Sequence, residues 1–136
     1  LKDCSSDIEK PLRLLPRLSS TFVFLAGDDN RFLAYSAHGG VGCVSVIANI
    51  FPKLCKKIES LWSSGDLIKA RELQQQLMPL MTAIFSESNP IGIKCAAHGL
   101  KLCGDKIRLP LTKAREDTRK KINELMLDVI GLEKDV

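Results

Sequence analysis

Apolar positions along this chain keep three different rhythms. After a polar turn at residues 3–6, Ile8, Leu12, Leu15 and Leu18 fall at helical spacing. Pro11 stands where a first turn accepts proline, and Pro16 where a helix must strain or end. Residues 21–26, TFVFLA, are apolar on nearly every position and rich in β-branched and aromatic types. That pattern predicts a strand covered on both faces rather than one wet face. Gly27 closes the run, Asp28 and Asp29 follow, and Phe32, Leu33, Tyr35 and Ala37 mark a short helix that stops at Gly39-Gly40. A second apolar run, CVSVIANIFP at 43–52, completes strand, helix and strand. Residues 21–52 therefore read as a βαβ unit, with its strands parallel and helices packed over them.

From Phe51 onward the period is helical. Phe51, Leu54, Cys55, Ile58, Leu61 and Trp62 trace one face, ended by Ser63-Ser64-Gly65. Asp66 stands at the N-cap of a long helix whose stripe is Leu67, Ala70, Leu73, Leu77, Leu80, Met81, Ile84 and Phe85, with Pro79 inside it. The turn ESNP at 87–90 separates it from a helix over 91–102, and IRLPL at 107–111 is extended. Thr112 is the expected cap of a last helix with Ile122, Leu125, Val129 and Ile130 inward.

The result is lopsided: two or three parallel strands first, four helices after. A parallel sheet that small has open edges and does not stand alone. Leu1-Lys2 at the very start reads as the end of a further strand, so we expect a fragment whose missing strands lie upstream. The fold class expected is α/β, the C-terminal part of a parallel protein with its site at the C-terminal ends of the strands.

Composition narrows the functional classes. The chain has 136 residues, 45% hydrophobic and 26% charged, enough for one domain with a real core and unlike a disordered segment. Its net charge of +4 is spread among acids, with one Trp and one Tyr, so no basic stripe with interleaved aromatics marks a nucleic-acid reader. Cys4, Cys43, Cys55, Cys95 and Cys103 include no CxxC pair, and Cys95 with His98 is not a ligand set, so reduced thiols in a cytosolic protein are expected and a metal is not. No apolar run approaches the roughly 20 residues of a membrane span.

Several groups have both a chemical and a structural reading. Asp28-Asp29 are candidate acid/base carboxylates, but acids opening a helix are more often caps. Gly39–Gly42 resembles a phosphate loop, yet it precedes a strand, and a tight αβ turn fits better. His38 and His98 read as packing or surface residues, Asn89-Pro90 as a turn, and the basic run 113–121 as the solvated face of the last helix.

Five segments, in order, carry a resemblance: LKD at 1–3, AGDD at 26–29, GGVGCVSVIAN at 39–49 with Pro52, FSESNP at 85–90 followed by Lys94, and IRLPL at 107–111. Together they resemble the C-terminal half of the dihydrodipicolinate synthase family, Schiff-base-forming aldolases of the pyruvate-dependent (β/α)8-barrel superfamily that includes N-acetylneuraminate lyase. The similarity runs over essentially the whole chain. It implies about strands 6–8 of a TIM barrel with their helices, here residues 1–64, followed by a helical region, residues 65–136. By position, it implies that Lys2 in LKD is the lysine that attacks pyruvate. Gly27 of the GDD motif would offer its backbone at the site. Val44, before Ser45-Val46, would present a backbone carbonyl near that lysine, where isoleucine is more usual. Gly92 departs from a common proline, and Ser6 stands where a glycine is frequent.

Such a lysine attacks only when neutral, which desolvation or a neighbouring cation achieves. The imine then serves as an electron sink, a methyl proton leaves, and the enamine adds to an aldehyde. The resemblance implies pyruvate and L-aspartate 4-semialdehyde as substrates, lysine and diaminopimelate biosynthesis as the setting, and no cofactor. It further implies the N-terminal half of the same barrel as partner and a homotetramer built as a dimer of dimers. The proton-relay tyrosine and threonine, the carboxylate-binding arginine and any lysine feedback site would lie in that half, so the chain alone should be inactive and poorly folded. The alternatives are a sister pyruvate aldolase, such as N-acetylneuraminate lyase or a keto-deoxy sugar acid aldolase, and a non-catalytic barrel.

Overall fold

The computed structural model describes residues 1–5 and 7–135. Two compact units divide it, Leu1–Val46 and Ile47–Val136.

The first unit is a short parallel ladder with small helices. Strand β1 (Lys2–Asp3) pairs in parallel with β2 (Leu25–Ala26), Lys2 opposite Leu25 and Asp3 opposite Ala26. On the other side of β2, Ala26 forms a parallel bridge to Cys43. Backbone bonds extend this pairing: Leu25 N–H to Leu1 C=O at 2.8 Å on one side, and Val41 N–H to Phe24 C=O at 2.9 Å on the other. The parallel arrangement is the one expected, but the regular strands are much shorter than the apolar runs. Residues 20–21 turn, with Phe22 N–H on Ser19 C=O at 2.9 Å, and Ile47–Asn49 closes as a 3-10 helix rather than continuing a strand. Strand propensity becomes ladder only where a neighbour supplies partners, and here that is the middle of the run.

Helix α1 (Lys10–Leu14) carries Pro11 in its first turn, and Pro16 tightens the chain into a 3-10 turn, Leu15–Arg17, as expected of it. A 3-10 turn, Asp29–Arg31, leads into α2 (Phe32–Ala37). Gly39, at φ +100°, then reverses the chain toward the third ladder segment, a geometry that costs glycine least. Buried Phe24, Ala26 and Tyr35 form the core of this unit, with Leu14, Leu15 and Cys43 packed on it.

The second unit is helical: α3 (Pro52–Ser63), α4 (Leu67–Ile84), α5 (Ile91–Gly99) and α6 (Glu116–Lys134). Its core takes Leu54 and Ile58 from α3, Ala70, Leu77, Leu80, Met81 and Ile84 from α4, and Ile122, Met126 and Val129 from α6. Those positions repeat at helical spacing on one face each. Leu67 and Phe85, at the two ends of the α4 stripe, remain exposed. Asp66 caps α4 as expected, accepting the Lys69 N–H at 3.2 Å. The last helix begins at Glu116 rather than after Thr112, with Arg115 as its N-cap. The N-terminus of α3 is satisfied from far away in sequence: the Glu133 carboxylate accepts Lys53 N–H at 3.0 Å and Leu54 N–H at 2.9 Å.

Gly92, where a proline is common in the resembling family, has a local reason. A Cβ there would lie 2.1 Å from the Ile84 carbonyl oxygen, so α5 packs this close to the end of α4 only with glycine. The Ser6 departure lies outside the described residues. No described helix is long and apolar enough to cross a membrane.

Candidate functional site

Strand side chains alternate between faces, so register decides which residues meet. Lys2 pairs with Leu25, and Ala26 with Cys43. Leu25 therefore lines up with Gly42, and Gly27 with Val44. A Cβ on Gly42 would lie 3.3 Å from Leu25 Cδ2, which puts both on one face. Lys2, Leu25, Gly27, Gly42 and Val44 thus share a face, and Asp3, Phe24, Ala26 and Cys43 share the other, the one the helices cover. The expected site residues Lys2, Gly27 and Val44 line up on the first of these faces, Gly27 and Val44 at the C-terminal ends of their ladder segments and Lys2 one residue before the end of β1. Lys2 and Val44 are exposed there.

Each position is held by backbone. Gly27 N–H donates to Asp3 C=O at 2.7 Å, and Val44 N–H to Ala26 C=O at 2.8 Å. A Cβ on Gly27 would sit 2.3 Å from Cys4 Sγ and 2.8 Å from Asp3 O, so β1 and the β2 turn approach this closely only through glycine.

Behind Lys2, on the helix-covered face, is a polar cluster that the sequence pattern did not reveal. Asp3 is 7% exposed. Its carboxylate accepts Ser5 N–H at 2.9 Å, Lys10 Nζ at 2.9 Å and the Tyr35 hydroxyl at 3.1 Å. Burial alone would push this carboxyl up, but those donors outweigh it and hold Asp3 well below the usual carboxylate range. Burial, then the bond to Asp3 and its charge, push the Tyr35 phenol above its ordinary value. Tyr35 is legible from sequence only as an apolar helix position; its hydroxyl partner is 32 residues away.

The capping reading of Asp28-Asp29 is corrected by the structure. Asp28 occupies the N-cap of the 3-10 turn but its side chain makes no cap bond, and it pairs instead with Arg31 at 3.0 Å. Asp29 is 4% exposed and turns away from the helix: its carboxylate accepts the Ser45 hydroxyl and, at 2.9 Å, the Val46 N–H. Gly39 and Gly40 make the αβ turn expected of them, Gly40 N–H bonding Tyr35 C=O at 2.9 Å. The ring Nδ1 atoms of His38 and His98 lie 2.7 Å from Ala34 C=O and 3.1 Å from Cys103 C=O. All five cysteines are reduced thiols outside any disulfide, and burial raises that of Cys95. Among the described residues, no group of three or more His, Cys, Asp or Glu is arranged to hold a metal ion.

A groove of about 710 Å³ opens in the helical unit between α5, the 105–114 segment and α6, lined by Cys95, His98, Lys113 and Arg119 among others. Its charges are largely paired, Lys113 with Asp105 at 2.7 Å and Arg119 with Glu116. It holds none of Lys2, Gly27 and Val44, the site residues that the family resemblance implies.

Comparison with known proteins places these features in a lineage. The profile described as the Dihydrodipicolinate synthetase family matches residues 1–128. The 4-hydroxy-tetrahydrodipicolinate synthases of Rickettsia canadensis (strain McKiel) and Rickettsia bellii (strain RML369-C) are 48% and 47% identical to the chain over 126 residues, 93% of its length and 43% of theirs. Among solved structures, the 4-hydroxy-tetrahydrodipicolinate synthase of Methylacidiphilum fumariolicum SolV superposes with a TM-score of 0.90 at 29% identity, over 96% of this chain and 43% of that one. The dihydrodipicolinate synthase of Aquifex aeolicus also gives 0.90, at 31% identity, over 95% and 44%. The chain thus spans 43% of the length of the curated relatives it matches, and its fold is a partial barrel with helices.

Proposed function

The chain belongs to the Dihydrodipicolinate synthetase family, and we propose that within a full-length protein it forms the C-terminal part of a Schiff-base lyase of the 4-hydroxy-tetrahydrodipicolinate synthase type. The observation that carries this reading is the alignment of Lys2, Gly27 and Val44 on one face of three adjacent parallel segments, with Lys2 and Val44 exposed on it. In this reading β1, β2 and the 41–44 segment correspond to about strands 6, 7 and 8 of a (β/α)8 barrel. Residues 1–64 belong to the barrel and 65–136 to a helical region on it.

Lys2 is the nucleophile. Its neutral amine attacks the ketone carbon of pyruvate, water leaves, and the lysine nitrogen becomes an iminium. The electron pair released when a methyl proton departs flows into that nitrogen and gives an enamine. The enamine carbon bonds to the aldehyde carbon of L-aspartate 4-semialdehyde, restoring the iminium. Attack by the substrate's own amine on the former ketone carbon closes the ring and releases Lys2, giving 4-hydroxy-tetrahydrodipicolinate. Closing the barrel over the bare face excludes water around Lys2. The Val44 carbonyl accepts an N–H of the lysine amine and so aims its lone pair at the ketone. Gly27 N–H is already bonded to Asp3, so the backbone group it offers is its carbonyl. The proton relay and the substrate-carboxylate contacts fall to the rest of the barrel. The full-length protein works as a cytoplasmic homotetramer in lysine and diaminopimelate biosynthesis.

The test is covalent trapping in the full-length protein. Incubation with pyruvate followed by borohydride should add one reduced pyruvate to the peptide carrying Lys2, and Lys2→Arg should abolish both adduct and turnover. A folded wild-type protein that traps no pyruvate, or traps it on another lysine, overturns the assignment.

A further inference from the structure

The turn after β2 grips the turns on both sides of it. Asp29 reaches one way, to the Ser45 hydroxyl and the Val46 N–H just beyond the third ladder segment. Arg31 reaches the other way, donating to the Ser5 carbonyl at 2.7 Å in the turn that follows Lys2, while Asp28 braces its guanidinium at 3.0 Å. Ser5 is held from its N–H as well, by Asp3. The direction of the Val44 carbonyl depends on the rotation of the Val44–Ser45 peptide. That peptide is anchored before, by Val44 N–H on Ala26 C=O at 2.8 Å, and after, by the Asp29 carboxylate.

We propose that the Asp28–Arg31 turn is a two-sided clamp in which Asp29 is the positioning residue for the Val44 carbonyl and Arg31 steadies the turn that follows Lys2. The proposal rests on the reading of Lys2 and Val44 given above. A carboxylate buried at 4% exposure is costly unless its donors compensate it. Two of the donors Asp29 has come from one turn, so satisfying its carboxylate favours one geometry of that turn. Neither Asp29 nor Ser45 needs to touch substrate for this. The clamp acts on the approach geometry of the amine, where small displacements cost much rate.

The test compares wild type, Asp29→Asn, Ser45→Ala and Ser45→Thr in the full-length protein. It reads the rate of borohydride-trappable adduct formation, kcat and KM for pyruvate, and the urea midpoint. Asn at 29 keeps the shape but faces the Ser45 and Val46 donors with one acceptor fewer. Ser45→Ala removes one anchor and leaves the Val46 amide in place. Both should slow adduct formation and kcat by on the order of ten- to a hundredfold, with KM for pyruvate changed less than about threefold. Ser45→Thr, which restores the hydroxyl, should recover most of the rate. A folded Ser45→Ala enzyme that traps pyruvate at the wild-type rate, or a loss that Ser45→Thr does not restore, overturns the clamp. If Asp29→Asn does not fold, the Ser45 pair decides alone. Failure of wild type to trap pyruvate on Lys2 overturns the underlying reading and the clamp with it, an outcome told apart from the others by the wild-type control.

Discussion

Asp3 and Tyr35 show how much a single strand residue can carry besides its place in the ladder. Lys2 projects to the bare face, while the next side chain, on the opposite face, is buried under three donors. Because Asp3 titrates below its ordinary value of 3.8, the folded state holds its ionised form more firmly than the unfolded chain does. Its contribution to stability is therefore complete above about pH 4 and is lost as the pH falls below that. Tyr35 has the opposite sign: its raised phenol adds stability below the ordinary tyrosine value of 10.0, lost as the pH rises above it. Tyr35→Phe should lower stability near neutrality by about 1.5–3 kcal/mol, as for a hydrogen bond to a charged group. It should also flatten both arms of the stability–pH profile. Urea unfolding of the full-length protein across the two ranges checks this, and unchanged arms would show that the pair does not couple in the way its geometry implies.

At the scale of elements, what the sequence displays is what periodicity encodes. The helices α3 to α6 follow from apolar spacing, Asp66 from its position before a stripe, and the breaks at Pro16, Ser63–Gly65 and Gly39 from the conformations those residues favour. The strands depend on more than periodicity. A run such as TFVFLA states a preference, but its pairing depends on residues far along the chain, so only Leu25–Ala26 became regular strand. Asp29 misled for a related reason. Local pattern offers a cap, and the partners that win, Ser45 and Val46, are 16 and 17 residues away. The register that unites Lys2, Gly27 and Val44 is likewise non-local, and those positions were legible only through family resemblance. Glu133 is a third such case: it sits in the last turns of α6 and caps α3 about eighty residues earlier. Two of the orphan N–H groups of α3 depend on it, so Glu133→Ala should destabilise the helical unit by about 1 kcal/mol, the usual size of a lost N-cap. Glu133→Gln, which keeps one acceptor, should cost less. Chemical denaturation followed by helical circular dichroism checks both, and equal losses in the two variants would mean that side-chain packing, not capping, is at stake.

For the molecule as a whole, the two units differ in how completely they satisfy their own surfaces. Residues 47–135 bury a continuous set of helix faces against one another. In residues 1–46 Leu1, Val23, Val41 and Val44 are exposed along the ladder itself, Val41 at 64%, whereas the exposed apolar side chains of the helical unit, Leu109 and Leu127 among them, lie outside its packed core. A ladder only two to three segments wide has unpaired edges on both sides, and bare apolar surface adds to the penalty. Local opening should therefore be easiest there, because few contacts are lost when it opens. In hydrogen exchange on the 136-residue chain alone, the amides of Leu25, Ala26 and Val44 should exchange at least about tenfold faster than those of the α4 interior, and no pyruvate should be trapped on Lys2. In the full-length protein the same amides should become as protected as α4, since the proposed barrel would pair the edges and cover the bare face. Protection and trapping should rise together, because both follow from closing one surface. Full protection of the ladder in the isolated chain would show that these short segments are stable without further strands, and the loss of activity expected of that chain would then have to come from missing catalytic groups alone.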